Sequence, residues 1–384
     1  MKALVGVASS HDTIAVRRGG LPQKNIQLHW KLTGSYYGEA MRFKRSRLIF
    51  FLGVFFTGLT VAVFPASAGE IFPRVQSNGV VRCGVSEGIA GFSIKDVSGR
   101  WTGLDADFCR AVAAAALGDG EKVAFVPLFA SARFPALKSN QIDLLARNTT
   151  QTLGREANIG THFTGILYYD GQSFLVSADS RVQRAQDLDG ASICVVKEST
   201  HVVHLADFFK AQGLKCQPII VESVHQARDE FFAGRCQAYT SDASTLSAIR
   251  IQAPGGPERF RILPDRISKE PLGPVVNRGD EQWATLVKWV LLALVEAEER
   301  GITRANVRKV LETTADPAVQ AFLGGGYAKA LGISPGWVVR VVETVGNYGE
   351  MFERNLGSGS PLKIERGLNR LWNQGGLMYS PPFR

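Results

Sequence analysis

Asp105-Ala-Asp-Phe-Cys-Arg-Ala-Val-Ala-Ala-Ala-Ala-Leu-Gly118 is the stretch that decides the fold. Phe108, Ala111, Val112, Ala115 and Ala116 recur at one-face helical spacing, Gly118 supplies a stop, and Asp105 is the expected N-cap. Short apolar runs on either side, Val80–Val85 and Lys122–Leu128, read as strands. Ser131–Lys138 follows as a short helix and Ile142–Arg147 as a third strand. Strands alternating with helices imply a parallel sheet whose crossovers cover it.

The same grammar restarts downstream. Strands are expected at Ser192–Val196, Cys216–Val221 and Cys236–Thr240, with helices at Thr200–Gln212 and Val224–Phe232 between them. Gly165–Val176 reads as a crossover and Pro271–Val276 as the return strand. Two α/β lobes joined by two crossovers leave a cleft, and small-ligand sites favour such interfaces. Helices are then expected at Glu281–Arg300, Arg304–Thr313, Ser334–Val345 (Ser334 as cap, Pro335 at the first helical position) and Lys363–Trp372.

The formal charge of +9 lies mostly in the leader. Residues 1–69 hold nine Lys/Arg against Asp12 and Glu39, leaving 35 basic and 33 acidic residues downstream, so no nucleic-acid footprint is indicated. Met41 opens a secretory signal: Arg42, Lys44, Arg45 and Arg47, then sixteen uncharged residues from Leu48 to Val63, then Ala66-Ser67-Ala68. The small-residue site favours cleavage over a membrane anchor, with 41–68 removed, 1–40 a non-native upstream extension, and the mature protein exported. Exported cysteines pair. Cys83–Cys109 and Cys194–Cys236 are favoured because each pair lies in one lobe; Cys216 is then the odd thiol, and Cys194–Cys216 is an alternative that the sequence leaves open.

Several motifs carry less than they promise. Gly84-Val-Ser-Glu-Gly88 matches GxSxG but no helix follows at once, as a nucleophile elbow needs. Glu198, His201 and His204 share a helical spacing, yet not that of a metalloprotease, and read as a solvated helix start; no metal or cofactor is expected. Gly324-Gly325-Gly326 lacks the residues of a phosphate loop. Asp143 to Arg155 is more telling: an apolar strand ends abruptly in Arg147, Asn148, Thr149 and Thr150, with Arg155 beyond. Ligands gather at the carboxyl ends of parallel strands, and arginine can hold both carboxylate oxygens. Asp242 ends the corresponding strand of the other lobe. A cation facing an anion across a cleft suits a zwitterion; two ordinary loop charges is the plainer reading.

From about residue 70 onward the chain resembles the periplasmic solute-binding proteins of ABC transporters for polar amino acids, most closely the general L-amino-acid-binding branch. The resemblance rests on Gly91-Phe92-Ser93, Trp101-Thr-Gly103, Asp107–Ala113, Arg147-Asn-Thr-Thr150, Tyr168–Gln172, Ile267–Pro274, Val345–Glu350 and the run from Ser360 to Leu377. It implies an α/β, two-lobed type 2 periplasmic-binding fold, each lobe a mainly parallel sheet flanked by helices, with a helical C-terminal extension. The expected division is lobe 1 at 69–172, lobe 2 at 173–272, a return at 273–318 and the extension at 319–384. It further implies reversible capture of free L-amino acids for membrane permease subunits, without enzymatic turnover. Arg155 would hold the α-carboxylate beside Thr150 and Asn148, Thr200 would assist, Asp242 would hold the ammonium, and Phe92 would pack on the ligand, with Arg147 nearby. The family's usual cysteines match 83, 109, 194 and 236. Glu198 stands where the family often has glycine, an acid that could repel the ligand carboxylate or favour a basic side chain. A dehydratase-like enzyme using Glu198 as general acid, or a sensing subunit, are the rival roles on this fold.

Overall fold

Parallel strands need covered crossovers, and the chain supplies them twice. The structure is a computed structural model that describes residues 69–383; the expected extension at 1–40 and signal at 41–68 lie outside these residues. After α1 (Ile71–Asn78), β1 (Val81–Ser86) runs through a hairpin of β2 (Ile94–Lys95) and β3 (Trp101–Thr102) into α2 (Leu104–Leu117). β4 (Val123–Leu128), α3 (Arg133–Lys138), β5 (Leu144–Leu145), a single wide helical turn at Arg155–Ile159 and β6 (Thr161–Phe163) follow. β7 (Tyr168–Asp170) leads out of the first lobe. The second holds β8 (Gln172–Ser177), β9 (Ser192–Val196), α4 (Thr200–Ala211), β10 (Gln217–Val221), α5 (Val224–Phe232), β11 (Ala238–Asp242), α6 (Ala243–Arg250) and β12 (Phe260–Ile262). β13 (Glu270–Leu272) returns to β14 (Val275–Asn277). The remaining helices are α7 (Glu281–Glu299), α8 (Val307–Thr313), α9 (Pro317–Gly324), α10 (Ala328–Leu331), α11 (Trp337–Val345) and α12 (Tyr348–Asn355).

The first sheet has the order β4-β1-β5-β14-β6 and the second β10-β9-β11-β8-β12. Within each, the strands of the repeated run are parallel and the crossover strands are antiparallel. β7 and β13 pair with each other, Asp170 opposite Glu270 and Tyr168 opposite Leu272, as the double neck between the lobes. Among the described residues no helix is long and apolar enough to cross a membrane.

Local chemistry moved several expected boundaries. α2 starts at Leu104, because the carbonyls of Gly91 and Phe92 accept its first N–H groups; Asp105 is therefore not the cap and turns inward. Of Ile142–Arg147 only Leu144 and Leu145 pair as strand. α8 starts at Val307, since Asn306 closes a turn on the Thr303 N–H at 2.7 Å. Ser334 and Pro335 lie outside α11, their carbonyls held by Arg340, and Gly336 takes the cap with φ 69°. The helix expected at Lys363–Trp372 does not form. Only two short turns, Gly367–Asn369 and Trp372–Gln374, are present, with Lys363 and Gly367 in the left-handed region. Asn369 is instead drawn to the neck, where its side chain accepts from the Tyr169 N–H (2.7 Å) and donates to the Tyr169 carbonyl (3.1 Å). Tyr348 donates to the Leu167 carbonyl at 2.9 Å and Phe352 stacks on Tyr168, so the C-terminal region braces one neck strand.

Cys83 is bonded to Cys109 and Cys194 to Cys236, while Cys216 is free and half-buried, burial pushing its thiol pKa up. Each closed loop contributes roughly 3–4 kcal/mol through the unfolded chain. Thiol titration of denatured protein without reductant is expected to count one thiol per chain, rising to all five cysteines after reduction; a count of three would mean that one bridge is missing.

Candidate functional site

Strand ends aim the polar residues. Beyond β5, Asn148 takes a left-handed backbone (φ 33°), and its N–H donates to the Asp105 carboxylate at 2.8 Å. Burial pushes the Asp105 pKa up to about 7, against the pull of that hydrogen bond and of Arg147. The turn at Arg155–Ile159 is fixed by Thr152, which accepts from the Arg155 N–H, and by Thr161, which donates to the Arg155 carbonyl at 2.9 Å. β11 ends at Asp242 as α6 begins, and α4 opens at Thr200.

These positions converge. One narrow cavity between the lobes is lined by Arg147, Asn148, Thr150 and Arg155 from the first lobe and by Thr200 and Asp242 from the second. The lobes already touch across it: Asn148 donates to Asp242 at 3.4 Å and Arg133 donates to the Glu198 carbonyl at 3.2 Å. Arg155 donates to the Thr150 carbonyl at 2.5 Å and lies over the Phe134 ring at 5.3 Å, with no carboxylate within salt-bridge reach among the described residues. Burial is the main cause lowering its pKa to about 10. Arg147 lines the same wall, but its guanidinium is occupied by Glu87 (3.0 Å) and the Leu128 carbonyl (2.8 Å).

Arg133 also lines the cavity and is 4% exposed, its guanidinium 5.0 Å from the Phe134 ring. The sequence reading passed over it, although it opens α3 just beyond the carboxyl end of β4, where the strand-end rule applies. His201 and His204 do not form a solvated helix start. His201 is buried, its Nε2 3.0 Å from Asp242, and His204 Nδ1 lies 2.9 Å from Glu270. Glu270, on the neck, also accepts from Thr150 (2.6 Å), Thr200 (2.9 Å) and Ser268 (2.6 Å). The hydroxyl protons of Thr150 and Thr200 are thus committed to Glu270, and the N–H groups of the first turn of α4 are the donors left at that corner. His201, Asp242 and Glu270 bring donor atoms within 4.8 Å of one another, but each is engaged by a hydrogen-bond partner, which makes a proton network rather than a coordination set.

Phe92 does not line the cavity; it is 1% exposed in the core, edge-on to Tyr168, and Ile89 takes the place at the wall. The Glu198 side chain is exposed and does not line the cavity; its backbone carbonyl accepts from Arg133. Its φ of 56° is the left-handed conformation that favours glycine. Ser86, of the GxSxG match, is buried and bonded to Ser93 at 2.6 Å. A separate hollow between Trp289, Phe322, Tyr327 and Phe383 is apolar and has no charged lining residue.

Residues 81–307 match the sequence profile of the bacterial extracellular solute-binding proteins, family 3. The chain is 46% identical over 330 residues to the general L-amino acid-binding periplasmic protein of Rhizobium johnstonii, covering 85% of this chain and 96% of that protein. It is 43% identical over 328 residues to the glutamate/glutamine/aspartate/asparagine-binding protein of Rhodobacter capsulatus, covering 85% and 97%. A solved ABC transporter periplasmic binding protein from Brucella ovis, with glutathione bound, superposes with a TM-score of 0.80 at 44% identity, covering 82% of this chain and all of that one.

Glu270 sets an acid limit on stability. Burial opposes its ionisation, but His204, the nearby His201 and the Ser268 and Thr150 hydroxyls outweigh it and hold its pKa at about 2, below the ordinary 4.5. The unfolded chain therefore binds that proton more tightly, so the contribution is complete above about pH 4.5 and is lost as the pH falls toward about 2. Glu270→Gln is expected to lower stability by about 2–3 kcal/mol at neutral pH. It should also flatten the acid limb of a denaturant-monitored pH profile; an unchanged limb would remove Glu270 from this role.

Proposed function

The chain belongs to family 3 of the bacterial extracellular solute-binding proteins, and we propose that it captures free L-amino acids and delivers them to the permease subunits of an ABC transporter. Residues 41–68 act as a cleaved export signal in this reading, and the mature protein works in the periplasm. The carrying observation is the shared cavity, with Arg155 on one lobe and Asp242 on the other. Arg155 clamps the α-carboxylate, aided by N–H groups at the start of α4, and Asp242 takes the ammonium. A ligand held by both lobes binds the closed state better than the open one, so capture and closure are one equilibrium. Nothing in this scheme makes or breaks a covalent bond, in keeping with relatives named as binding proteins.

The charge inventory narrows the ligand. Arg147 is answered by Glu87, but Arg133 and Arg155 both face the cavity with no carboxylate within salt-bridge reach among the described residues. One α-carboxylate answers one of them. Arg133 Nε, Asn148 Oδ1 and the Thr245 hydroxyl, all on lining residues, are also without protein partners among the described residues. An amino acid whose side chain ends in a carboxylate or an amide supplies the second acceptor. Glutamate, glutamine, aspartate and asparagine form the favoured class, with Arg133 as the side-chain reader.

In a thermal-shift screen of the twenty amino acids, these four are expected to raise the melting temperature most, since a ligand at 100 times its Kd adds about 2.7 kcal/mol to the native state. Arg155→Ala is expected to weaken L-glutamate by about two orders of magnitude or more in calorimetry, each charge-assisted hydrogen bond contributing about 1.5–3 kcal/mol. Unchanged affinity would remove Arg155 from the site, and strongest stabilisation by lysine or leucine would overturn the assigned class.

A further inference from the structure

The second residue of α4 is a buried histidine whose ring touches the carboxylate assigned to the ligand ammonium. His201 is 7% exposed, with Nε2 3.0 Å from Asp242 Oδ1. Gln172 holds the helix turn behind it by donating to the His201 carbonyl at 3.1 Å. We propose that His201 is a positioning residue for Asp242 and makes amino-acid capture proton-linked, the incoming ammonium displacing the imidazole proton. This rests on the reading of Asp242 as ammonium acceptor.

The surroundings set the direction. Asp242 faces the ring from the end of β11, Glu270 from β13 and Arg155 from the first lobe; His204, on the same helix, is turned to Glu270. Behind Asp242 stands Asp170 of β7, bonded to Ser244, and across the cavity stands Arg133. Burial works against the imidazolium, but the charge and hydrogen bond of Asp242, with Glu270 behind, overcome it and hold the His201 pKa above 6.5. A ligand ammonium at Asp242 puts a second cation beside one buried carboxylate. Of the two, the imidazole is the group that sheds a proton near neutrality. It loses that proton from Nδ1 to solvent, and its Nε2–H goes on donating to Asp242, so the carboxylate stays aimed while its full charge turns to the ligand.

Because ligand lowers the His201 pKa, the free protein binds the proton more tightly than the complex does. Affinity is then complete above the free-state value and falls as the pH drops through it, by up to about tenfold per pH unit for one proton, until it levels below the bound-state value. Asp170 is the competing source, because burial and the charge of Asp242 push its pKa up to about 7.

Calorimetric titration of the mature chain with L-glutamate and with L-glutamine, from pH 5.5 to 8.5 in phosphate and in imidazole buffers, measures both affinity and protons released. Wild type is expected to release up to one proton per ligand and to lose affinity toward acid. His201→Gln keeps an N–H toward Asp242, its amide nitrogen standing where Nε2 stands, and is expected to bind with that pH slope removed, whereas Asp170→Asn retains it. A purely structural role for His201 would shift affinity equally at every pH. The same slope in His201→Gln as in wild type, or a slope lost only in Asp170→Asn, overturns the proposal. No heat with either ligand at any pH, from protein that still melts cooperatively, fails the reading of the site itself.

Discussion

A charge taken out of water must be answered, and the interlobe cavity is organised by that constraint. Arg133, Arg155 and Asp242 are each under 10% exposed in a space shared by both lobes. Desolvation of such ions costs several kcal/mol apiece, and attraction repays it only with good geometry. In this chain the geometry is divided. The guanidiniums belong to the first lobe and rest on the Phe134 ring, while the carboxylate belongs to the second and rests on His201. Neither lobe alone holds charges of both signs in this space, which is why the proposed ligand is a small molecule that carries both.

The neck sets how the two halves meet. β7 and β13 pair across it, with Asp170 and Glu270 in register, and each leads directly into the site. Asp170 stands behind Asp242, and Glu270 gathers Thr150 of one lobe with Thr200 and His204 of the other. Glu270 thus ties the two lobes together at the neck. Tyr348, Phe352 and Asn369 tie β7 and the residue before it to the C-terminal region.

The architecture was legible because periodicity reports which face is buried, and both α/β runs kept their period. Arg155 and Asp242 were legible for a topological reason: polar residues crowd the carboxyl ends of parallel strands. Arg133 satisfied the same rule but begins a helix of six residues, whose short pattern gave no reason to separate it from its packing neighbours. Phe92 misled because an aromatic in a loop says nothing about which side it faces; here its carbonyl caps α2 and its ring goes to the core. The helix expected at Lys363–Trp372 failed because tertiary hydrogen bonds from Asn369 to Tyr169 outweighed local preference. His201 and His204 looked solvated since their partners lie 41 and 66 residues away, beyond any local window.

Glu198 joins these strands of reasoning. A non-glycine residue in the left-handed region costs about 1 kcal/mol or more, and among the described residues its exposed carboxylate has no salt-bridge partner that offsets it. What the conformation accomplishes is in the backbone: it turns the Glu198 carbonyl toward Arg133 and lets α4 begin two residues later, with its N-terminus and His201 directed at the cavity. The requirement at this corner is therefore a dihedral angle rather than a side chain. Glu198 thus acts at this corner chiefly through its backbone, whereas the histidine three residues on acts through its ring, 3.0 Å from Asp242.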